Sequence, residues 1–424
     1  MGTAGHPPPD PSLAAGPGRP GRWNPFRRDV TRTPTDTAVN APAVATRRGR
    51  PICRRMLRLL SLLLLLGTGS ALAQPAAFRV TEFATGLEHP WGAAFLPDGG
   101  LLVTERPGRL RLVGREGQVS PPLAGVPAVE AQGQGGLLDI ALAPDFARTR
   151  EVYLCQAALV QGGALTRLLR ARLSPDAAAL EEATPILDAT PPQAQGRNHY
   201  GCRIAFGPDG ALYLSTGDRY VTKMRAQRLD DLGGKVLRLA RNGAALADNP
   251  FANRPGARAE IFTHGHRNPQ GLAFNPWTGS LWEAEFGPRG GDEINILRPG
   301  RNYGWPVVTH GIDYDGSKIG EGASRPDMEQ PIHVWVPSVS PSGIAFYTGA
   351  AFPAWRGSLF VAALNPPGLV RLTTEGDRVT GEERLPWNQG RLRDVLQGPD
   401  GLLYLLTDQA RGRVLRLEPG TSPR

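Results

Sequence analysis

Hydrophobic positions recur along this chain in six copies of one pattern: an apolar strand, a turn that contains proline, and a second apolar strand. The copies begin at Trp91, Leu137, Arg203, Gly271, Gly343 and Arg393, and their turn prolines are Pro97, Pro144, Pro208, Pro276, Pro353 and Pro399. Such units at regular spacing are typical of a radial repeat, in which each sheet buries its faces against its neighbours. The pattern predicts an all-β protein, a six-bladed β-propeller with four-stranded antiparallel blades.

The same pattern predicts how the ring closes and where long loops occur. Residues 78–84 alternate as a strand does and are expected to complete the last blade. Two extended segments, 219–261 and 301–337, interrupt the repeat, and within the first one residues 233–239 have the pattern of a strand. Long ordered loops in a compact domain are usually functional, so both segments are candidates for the site.

The first 73 residues lie outside the repeat. Residues 1–55 are rich in proline, glycine and arginine, and we interpret them as a disordered leader or as a start assigned upstream of Met56. The basic residues Arg54, Arg55 and Arg58 precede an apolar run at 59–66, and an Ala-x-Ala site follows at 71–73, which together predict a signal peptide at 56–73. The run is too short for a permanent membrane span. We therefore expect a periplasmic or secreted domain at 74–424.

Charge and cysteine content narrow the class further. The net charge is +9, but residues 1–73 hold eleven arginines and three aspartates, which leaves +1 for the rest of the chain. A basic nucleic-acid-binding protein is therefore not indicated. Cys155 and Cys202 lie in neighbouring repeats, where they either pair after export or remain two buried thiols.

Polar residues whose side chains can bind ligands or transfer protons lie at the end of the hairpins opposite the proline turns. Those before the incoming strands are Glu88, His89, Gln134, Asn198, His199, Arg267, Asn268, Ser340, Arg391 and Arg393; those after the outgoing strands are Glu105, Asp218, Glu285, Asn365 and Asp408. Such groups can bind a planar polyanion and move a proton. For any one of them a solvated loop side chain is the favoured interpretation, whereas the set at matching repeat positions favours function. Because an imidazole can take a proton from a hydroxyl near neutral pH, His199 is the best candidate for a general base.

Two neighbouring motifs add binding groups. Arg267 offers a planar donor fork for carbonyl or carboxylate oxygens, and Pro269 favours an extended conformation at Asn268. In the segment EFGPRGGDEIN, Gly287 and Pro288 can present backbone carbonyls and Asp292 a carboxylate, a ligand type that suits Ca²⁺. Glycine-rich acidic segments also form ordinary turns, so this second motif is weak by itself.

Taken together, the phrases LEHPWGAAFLPDG, GQGGLLDIALAPDF, GHRNPQGLAF, GDEINIL and NYGWP resemble the soluble sugar dehydrogenases that use pyrroloquinoline quinone (PQQ), the periplasmic aldose sugar dehydrogenases in particular. The resemblance extends from about Phe78 to Glu418. It implies a six-bladed propeller that oxidises the anomeric hydroxyl of an aldose to a lactone, with hydride transfer to PQQ and reoxidation by an external electron acceptor. A monomer or homodimer that binds no nucleic acid is expected.

The resemblance also implies roles at matched positions. His199 matches the catalytic base, Gln134 a quinone contact, and Arg267 with Asn268 the pair beside the reactive carbonyl. Arg391 and Arg393 match residues that bind the carboxylates of PQQ, and Gly287 and Pro288 match carbonyl ligands of Ca²⁺.

Two residues depart from the pattern of that family. Asn365 replaces a frequent basic residue and Phe286 a polar one, which weakens the expected cofactor affinity. Two other functions stay open: a metal-dependent lactone hydrolase, and a binding propeller without activity. The aromatic residues Tyr303, Trp305, Tyr314 and Trp335 either stack on sugars or pack the loop.

Overall fold

The computed structural model describes residues 78–420, and in this range the chain forms six antiparallel sheets around one axis. The predicted leader (1–55) and signal peptide (56–73) lie outside the described residues.

The described chain consists almost entirely of β-strands, with one short α-helix and two 3-10 helices. Strands β1–β12 are Phe78–Leu87, Pro90–Phe95, Leu101–Glu105, Arg109–Val113, Leu137–Leu142, Glu151–Val160, Gly163–Leu173, Leu180–Asp188, Ile204–Phe206, Leu212–Thr216, Lys235–Leu239 and Ile261–His264. Strands β13–β23 are Pro269–Phe274, Leu281–Glu285, Asp292–Leu297, His333–Trp335, Pro341–Phe346, Leu359–Leu364, Pro367–Glu375, Arg378–Arg384, Leu392–Gln397, Leu403–Thr407 and Gly412–Pro419. A short helix α1 spans Phe146–Thr149, and 3-10 helices span Lys223–Gln227 and Pro353–Trp355.

Each sheet is one blade of the predicted six-bladed propeller, which the structure confirms. The innermost strands β2, β5, β9, β13, β17 and β21 contact one another around the axis. From each of them the chain passes outward through antiparallel neighbours, as in β5-β6-β7-β8 and β13-β14-β15-β16. The proline turns join each first strand to its second, so they all lie at one end of the ring, while the polar segments lie at the other.

The blade formed by β2, β3 and β4 has three regular strands, whereas the other five sheets have four. Its outer edge is covered by residues 118–123, where Ser120 and Leu123 donate backbone hydrogen bonds to Leu112 and Leu110. Pro121 and Pro122 lie within this segment and have no N–H group, so a continuous fourth ladder cannot form there.

The ring is closed by strands from the two ends of the described chain. Strand β1 pairs with β23 from Phe78 opposite Pro419 to Leu87 opposite Gly412, as the alternation in 78–84 predicted. The blade of β2, β3 and β4 therefore lies next to the blade β21-β22-β23-β1, which contains the first and the last strand of the described chain.

The apolar core consists of six main clusters, one between each pair of neighbouring blades. The cluster next to the closure, for example, joins Leu101 and Val103 of one blade to Leu406 and Val414 of the next, and the other five interfaces are packed in the same way. Each blade is therefore covered on both faces by its neighbours, and the apolar side chains of its strands are shielded from water.

Cys155 and Cys202 form a disulfide, with their Cα atoms 5.5 Å apart, and so join two neighbouring blades. Of the two alternatives left open by the sequence, the structure has the paired form. Strand β11 lies within the predicted segment 233–239. No helix within residues 78–420 combines the length and apolar character needed to cross a bilayer.

Candidate active site

His199 lies at the polar end of the ring, in the segment that leads into β9. Its side chain is buried, and Nδ1 lies 2.7 Å from Oδ1 of Asp218, in the segment that leaves β10. The second oxygen of Asp218 accepts a 2.7 Å hydrogen bond from Nε1 of Trp305. Because a carboxylate only accepts, Asp218 fixes the proton of the imidazole on Nδ1 and leaves the lone pair of Nε2 for a substrate.

The backbone around His199 is held in an uncommon conformation. His199 has φ of 53°, in the left-handed region that non-glycine residues seldom adopt. A Cβ atom on Gly217 would lie only 2.2 Å from the carbonyl oxygen of His199, so glycine is required at that approach. Strained backbone of this kind concentrates at functional sites, where the surrounding structure stabilises it.

The environment favours a neutral imidazole. Burial, followed by the nearby guanidinium group of Arg267, lowers the pKa of His199 below its ordinary value of 6.5, whereas Asp218 opposes the shift. His199 is therefore deprotonated at neutral pH, the state that a general base needs.

Arg267 and Asn268 lie beside His199, just before β13. The guanidinium group of Arg267 donates hydrogen bonds to the carbonyl oxygens of Phe286 (3.1 Å) and Gly287 (2.7 Å). Oδ1 of Asn268 accepts a hydrogen bond from the N–H of Gly201 (3.1 Å). Nε of Arg267 and Nδ2 of Asn268 are buried donors without a partner among the described residues, so both can bind a ligand oxygen.

A cavity at the same end of the axial channel brings together the other predicted cofactor residues. Its lining comprises Trp91, Arg106, Gln134, Leu138, Tyr200, Gln270, Phe286, Leu364, Arg391, Arg393 and Asp408. Oε1 of Gln134 accepts a 2.9 Å hydrogen bond from the N–H of His199, which links the cavity directly to the imidazole. The structure thus brings His199, Gln134, Arg391 and Arg393 together from three different blades, with both arginines on the blade of β21.

Asp408 orients the two arginines of this cavity. Its Oδ2 accepts hydrogen bonds from Arg391 (3.0 Å) and Arg393 (2.9 Å), and Arg393 also donates to Oε1 of Gln270 (3.0 Å). Burial alone would raise the pKa of Asp408, but these guanidinium groups lower it below its ordinary value. Nε of Arg393 is a further buried donor without a partner in the part of the chain that the structure describes.

The predicted metal segment forms a tight turn between β14 and β15. Asp292 holds that turn: its carboxylate accepts hydrogen bonds from the N–H groups of Gly287 (2.8 Å), Val339 (2.7 Å) and Ser340 (2.7 Å). Both oxygens of Asp292 are therefore engaged by backbone donors. Gly287 and Pro288 are buried next to Arg267, and the carbonyl of Gly287 already accepts from that residue.

The two residues that depart from the family pattern occupy different positions. Phe286 lines the cavity, and its ring offers an apolar surface there. Asn365 is exposed and directly follows Leu364, which is itself part of the lining.

A second cluster of ionisable side chains, His266, Glu283 and Glu285, is buried next to the backbone of Arg267. His266 lies between the carboxylates of Glu283 (3.0 Å) and Glu285 (3.1 Å), which raise its pKa to about 9 against the lowering effect of burial. Oε1 of Glu285 accepts the N–H of Arg267. Through Glu285, this cluster therefore anchors the backbone that carries Arg267 and Asn268.

Sequence reasoning identified Asp218 and Asp408 only as members of a polar end and did not assign them as partners of His199 and of the arginines. For Asp408 a signal was present, since it directly follows β22 and contacts Arg393 on the partner strand β21. Asp218 and His199 both lie outside the paired strands β10 and β9, so their contact had no comparable signal. Trp305 had no such signal, because the packing of its loop brings it to Asp218. In the His266 cluster, Glu283 and Glu285 lie on β14, which pairs with the strand that follows His266.

These features define a class: an axial propeller site that pairs a buried, carboxylate-held imidazole with a cluster of arginine and amide donors. The chain belongs to the glucose/sorbosone dehydrogenase family, whose model matches residues 87–416.

Individual relatives agree with this assignment. The chain is 45% identical over 352 residues to aldose sugar dehydrogenase YliI of Escherichia coli (strain K12), covering 82% of this chain and 94% of that protein. It is 51% identical to a glucose dehydrogenase of known crystal structure (TM-score 0.79; 81% and 100% of the two chains). It is 33% identical to the PQQ-bound form of an aldose sugar dehydrogenase from Streptomyces coelicolor (TM-score 0.68; 82% and 99%).

Proposed function

We propose that this protein is a quinoprotein oxidoreductase that oxidises the anomeric hydroxyl of aldose sugars to lactones, with PQQ as its cofactor. The observation that carries the proposal is that His199, held by Asp218, and Arg267 each contact a residue lining the cavity that contains Arg391 and Arg393: His199 bonds Gln134, and Arg267 bonds Phe286. A relative with 33% identity has a solved structure of its PQQ-bound form.

The residues present fit such a cofactor. PQQ is a planar anion with carboxylate and carbonyl oxygens, and the site offers unpartnered donors on Arg267, Asn268 and Arg393 within the described chain. Trp91, Tyr200 and Phe286 supply apolar and aromatic surface to the same cavity. Arginine clusters match carboxylates, and aromatic surface matches a planar ring system.

The chain's own residues would act as follows. Nε2 of His199 accepts the proton of the anomeric hydroxyl, and Asp218 stabilises the imidazolium that forms. Arg267 and Asn268 hold the oxygens at the reacting end of the cofactor, while Arg391 and Arg393, oriented by Asp408, hold its carboxylates. When bound, PQQ supplies the acceptor for the hydride that leaves C1 of the sugar, and an external electron acceptor then reoxidises it.

We further propose that Ca²⁺ assists the site through the carbonyl oxygens of Gly287 and Pro288, which are hard oxygen ligands. Asp292, whose oxygens accept three backbone N–H groups, would contribute by holding these carbonyls in place rather than by reaching the ion. Export to the periplasm or medium, and a monomeric or dimeric state without nucleic acid, complete the proposal.

A metal-dependent lactone hydrolase is less well supported. Within residues 78–420, the one group of histidine and acidic side chains close enough to share a metal is His266, Glu283 and Glu285. These side chains are fully buried inside the fold and lie outside the lining of the axial cavity. A hydrolase would need such ligands exposed to substrate.

Dye-linked oxidation of D-glucose tests the proposal. We expect turnover only after PQQ and Ca²⁺ are both added, loss of turnover in His199→Ala, and normal turnover in His333→Ala, a histidine that pairs with Glu382 away from the cavity. Hydrolysis of gluconolactone by the protein without PQQ, together with no dye reduction after reconstitution, would instead establish the hydrolase.

A further inference from the structure

Two exposed tyrosines flank the proposed catalytic residues, and neither belongs to the cofactor cavity. Tyr220 and Tyr314 are 36% and 57% exposed, whereas Tyr303, Trp305 and Trp335 are buried. Of the four aromatic residues that the sequence offered for sugar stacking, three are therefore packing residues and Tyr314 is available to a ligand. Tyr220 was not among the predicted residues.

Tyr220 is built onto the His199 side of the site. Its ring meets the imidazole of His199 edge to face, with 5.2 Å between ring centres, and its N–H donates to Oδ1 of Asp218 at 2.7 Å. Both Arg219 and Tyr220 have positive φ, 64° and 66°. The guanidinium group of Arg219 packs over the ring of Tyr200 at 3.4 Å, which stabilises this uncommon turn and fixes the direction of Tyr220.

Tyr314 is built onto the Arg267 side. Its hydroxyl accepts a hydrogen bond from Nη2 of Arg267 at 3.3 Å, and its N–H donates to Oδ1 of Asp313 at 2.8 Å. The other oxygen of Asp313 pairs with Nζ of Lys223, three residues after Tyr220. One ion pair thus ties together the two loops that carry the tyrosines.

We propose that Tyr220 and Tyr314 form the sugar-binding walls of this site and that the Lys223–Asp313 pair sets the distance between them. The inference rests on the proposed function and names its substrate class: aldopyranoses, whose rings present flat C–H surfaces to an aromatic side chain. Tyr220 contacts the base and Tyr314 contacts the arginine, and both side chains are exposed outside the cofactor cavity. They are therefore placed to hold a sugar ring with its anomeric hydroxyl towards His199.

Alanine variants separate sugar binding from cofactor binding. In Tyr220→Ala and Tyr314→Ala we expect KM for D-glucose to rise about 3- to 10-fold, the range of one aromatic contact. The Kd for PQQ, measured by fluorescence titration, should stay within about twofold, because neither ring lines the cavity and Arg267 keeps its hydrogen bonds to the carbonyl oxygens of Phe286 and Gly287 in both variants. Trp277→Ala is the matched control, since Trp277 is 50% exposed at the opposite end of the ring.

A direct readout of sugar contact does not depend on turnover. Saturation-transfer NMR from the protein to D-glucose should weaken in both tyrosine variants and persist in Tyr220→Phe, which keeps the ring. If the wild-type protein fails to bind PQQ, the proposed function is wrong, and this NMR measurement still decides the present inference.

Charge exchange tests the loop pair. Lys223→Asp and Asp313→Lys should each raise KM, and the double variant should restore it at least in part, which a mere folding defect would not do. An unchanged KM and unchanged saturation transfer in the tyrosine variants would overturn the inference. So would a loss of PQQ affinity as large as the change in KM, because the tyrosines would then belong to cofactor binding.

Discussion

At the residue scale, the chemistry depends on the environment that the fold gives to His199. Burial lowers the pKa of this imidazole, Arg267 lowers it further, and Asp218 limits the shift. Since a general base acts in its neutral form, the rate should rise with pH through a midpoint below 6.5 and then level off. The pH dependence of kcat/KM measures this midpoint in the free enzyme.

Asp218→Asn should separate the charge of this residue from its shape. Without the carboxylate, the imidazolium loses its stabilising partner, so the acid midpoint should move to still lower pH and kcat should fall about 10²- to 10⁴-fold. PQQ affinity should be nearly unchanged, because the carboxylate of Asp218 bonds His199, Trp305 and the N–H of Tyr220 and none of the residues proposed to hold PQQ. A wild-type kcat in this variant would show that Asp218 does not support the base.

How much of the site could be read from the sequence also differs residue by residue. His199, Arg267, Gln134 and Arg393 were recognisable because each lies in a polar segment that leads into an inner strand or near the start of one, and inner strands converge on one axis. The pairing of His199 with Asp218 was not readable, since it depends on the register of β9 and β10 and on a left-handed backbone at His199. The calcium role of Gly287 and Pro288 stays a prediction.

At the element scale, the turn between β14 and β15 depends on one carboxylate. Asp292 satisfies the N–H groups of Gly287, Val339 and Ser340, so it joins this turn to the segment before β17. Asp292→Ala leaves three donors in a buried region without their acceptor, and each unsatisfied group costs about 1–3 kcal/mol.

We therefore expect Asp292→Ala to lower the free energy of unfolding by about 3 kcal/mol or more in Ca²⁺-free buffer. Urea denaturation measures this change. Asp315→Ala is the matched control, because Asp315 lies on an exposed loop and bonds only Ser317. Equal stability of the two variants would mean that Asp292 does not hold the turn, and its role as a direct ligand of Ca²⁺ would then be favoured.

At the scale of the whole molecule, closure of the ring by β1 is the step that makes six blades one domain. Strand β1 covers the edge of β23 and contributes Ala84 and Leu87 to the core between the last blade and the first. A chain that begins at residue 88 would expose that edge and the apolar surface beneath it.

Such a shortened chain should lose on the order of 5 kcal/mol or more of stability, from the buried apolar side chains of β1 alone. Thermal unfolding monitored by circular dichroism measures the loss. Arg79→Ala is the control on β1: it removes only the exposed ion pair between Arg79 and Glu418 of β23, and it should change stability by less than about 1 kcal/mol. A shortened chain as stable as the full one would refute closure by β1.

The fold as a whole was predictable because the sequence contains six strand–turn–strand units, and the alternating segment at 78–84 also predicts the closing strand. Two features were not predictable. The blade of β2, β3 and β4 lacks a regular fourth strand because Pro121 and Pro122 fall in its outer edge. Whether Cys155 meets Cys202 depends on how two neighbouring blades are positioned, which spacing alone does not fix.

The central claim is that a PQQ site and a His199 base share one end of the axial channel. The most direct measurement follows the absorbance of PQQ bound to the Ca²⁺-loaded protein without oxygen while D-glucose is added. We expect wild-type protein and His199→Ala to bind PQQ with similar affinity, and glucose to reduce bound PQQ rapidly only in the wild type. Absence of PQQ binding, or equal rates of reduction in the two proteins, would contradict the account.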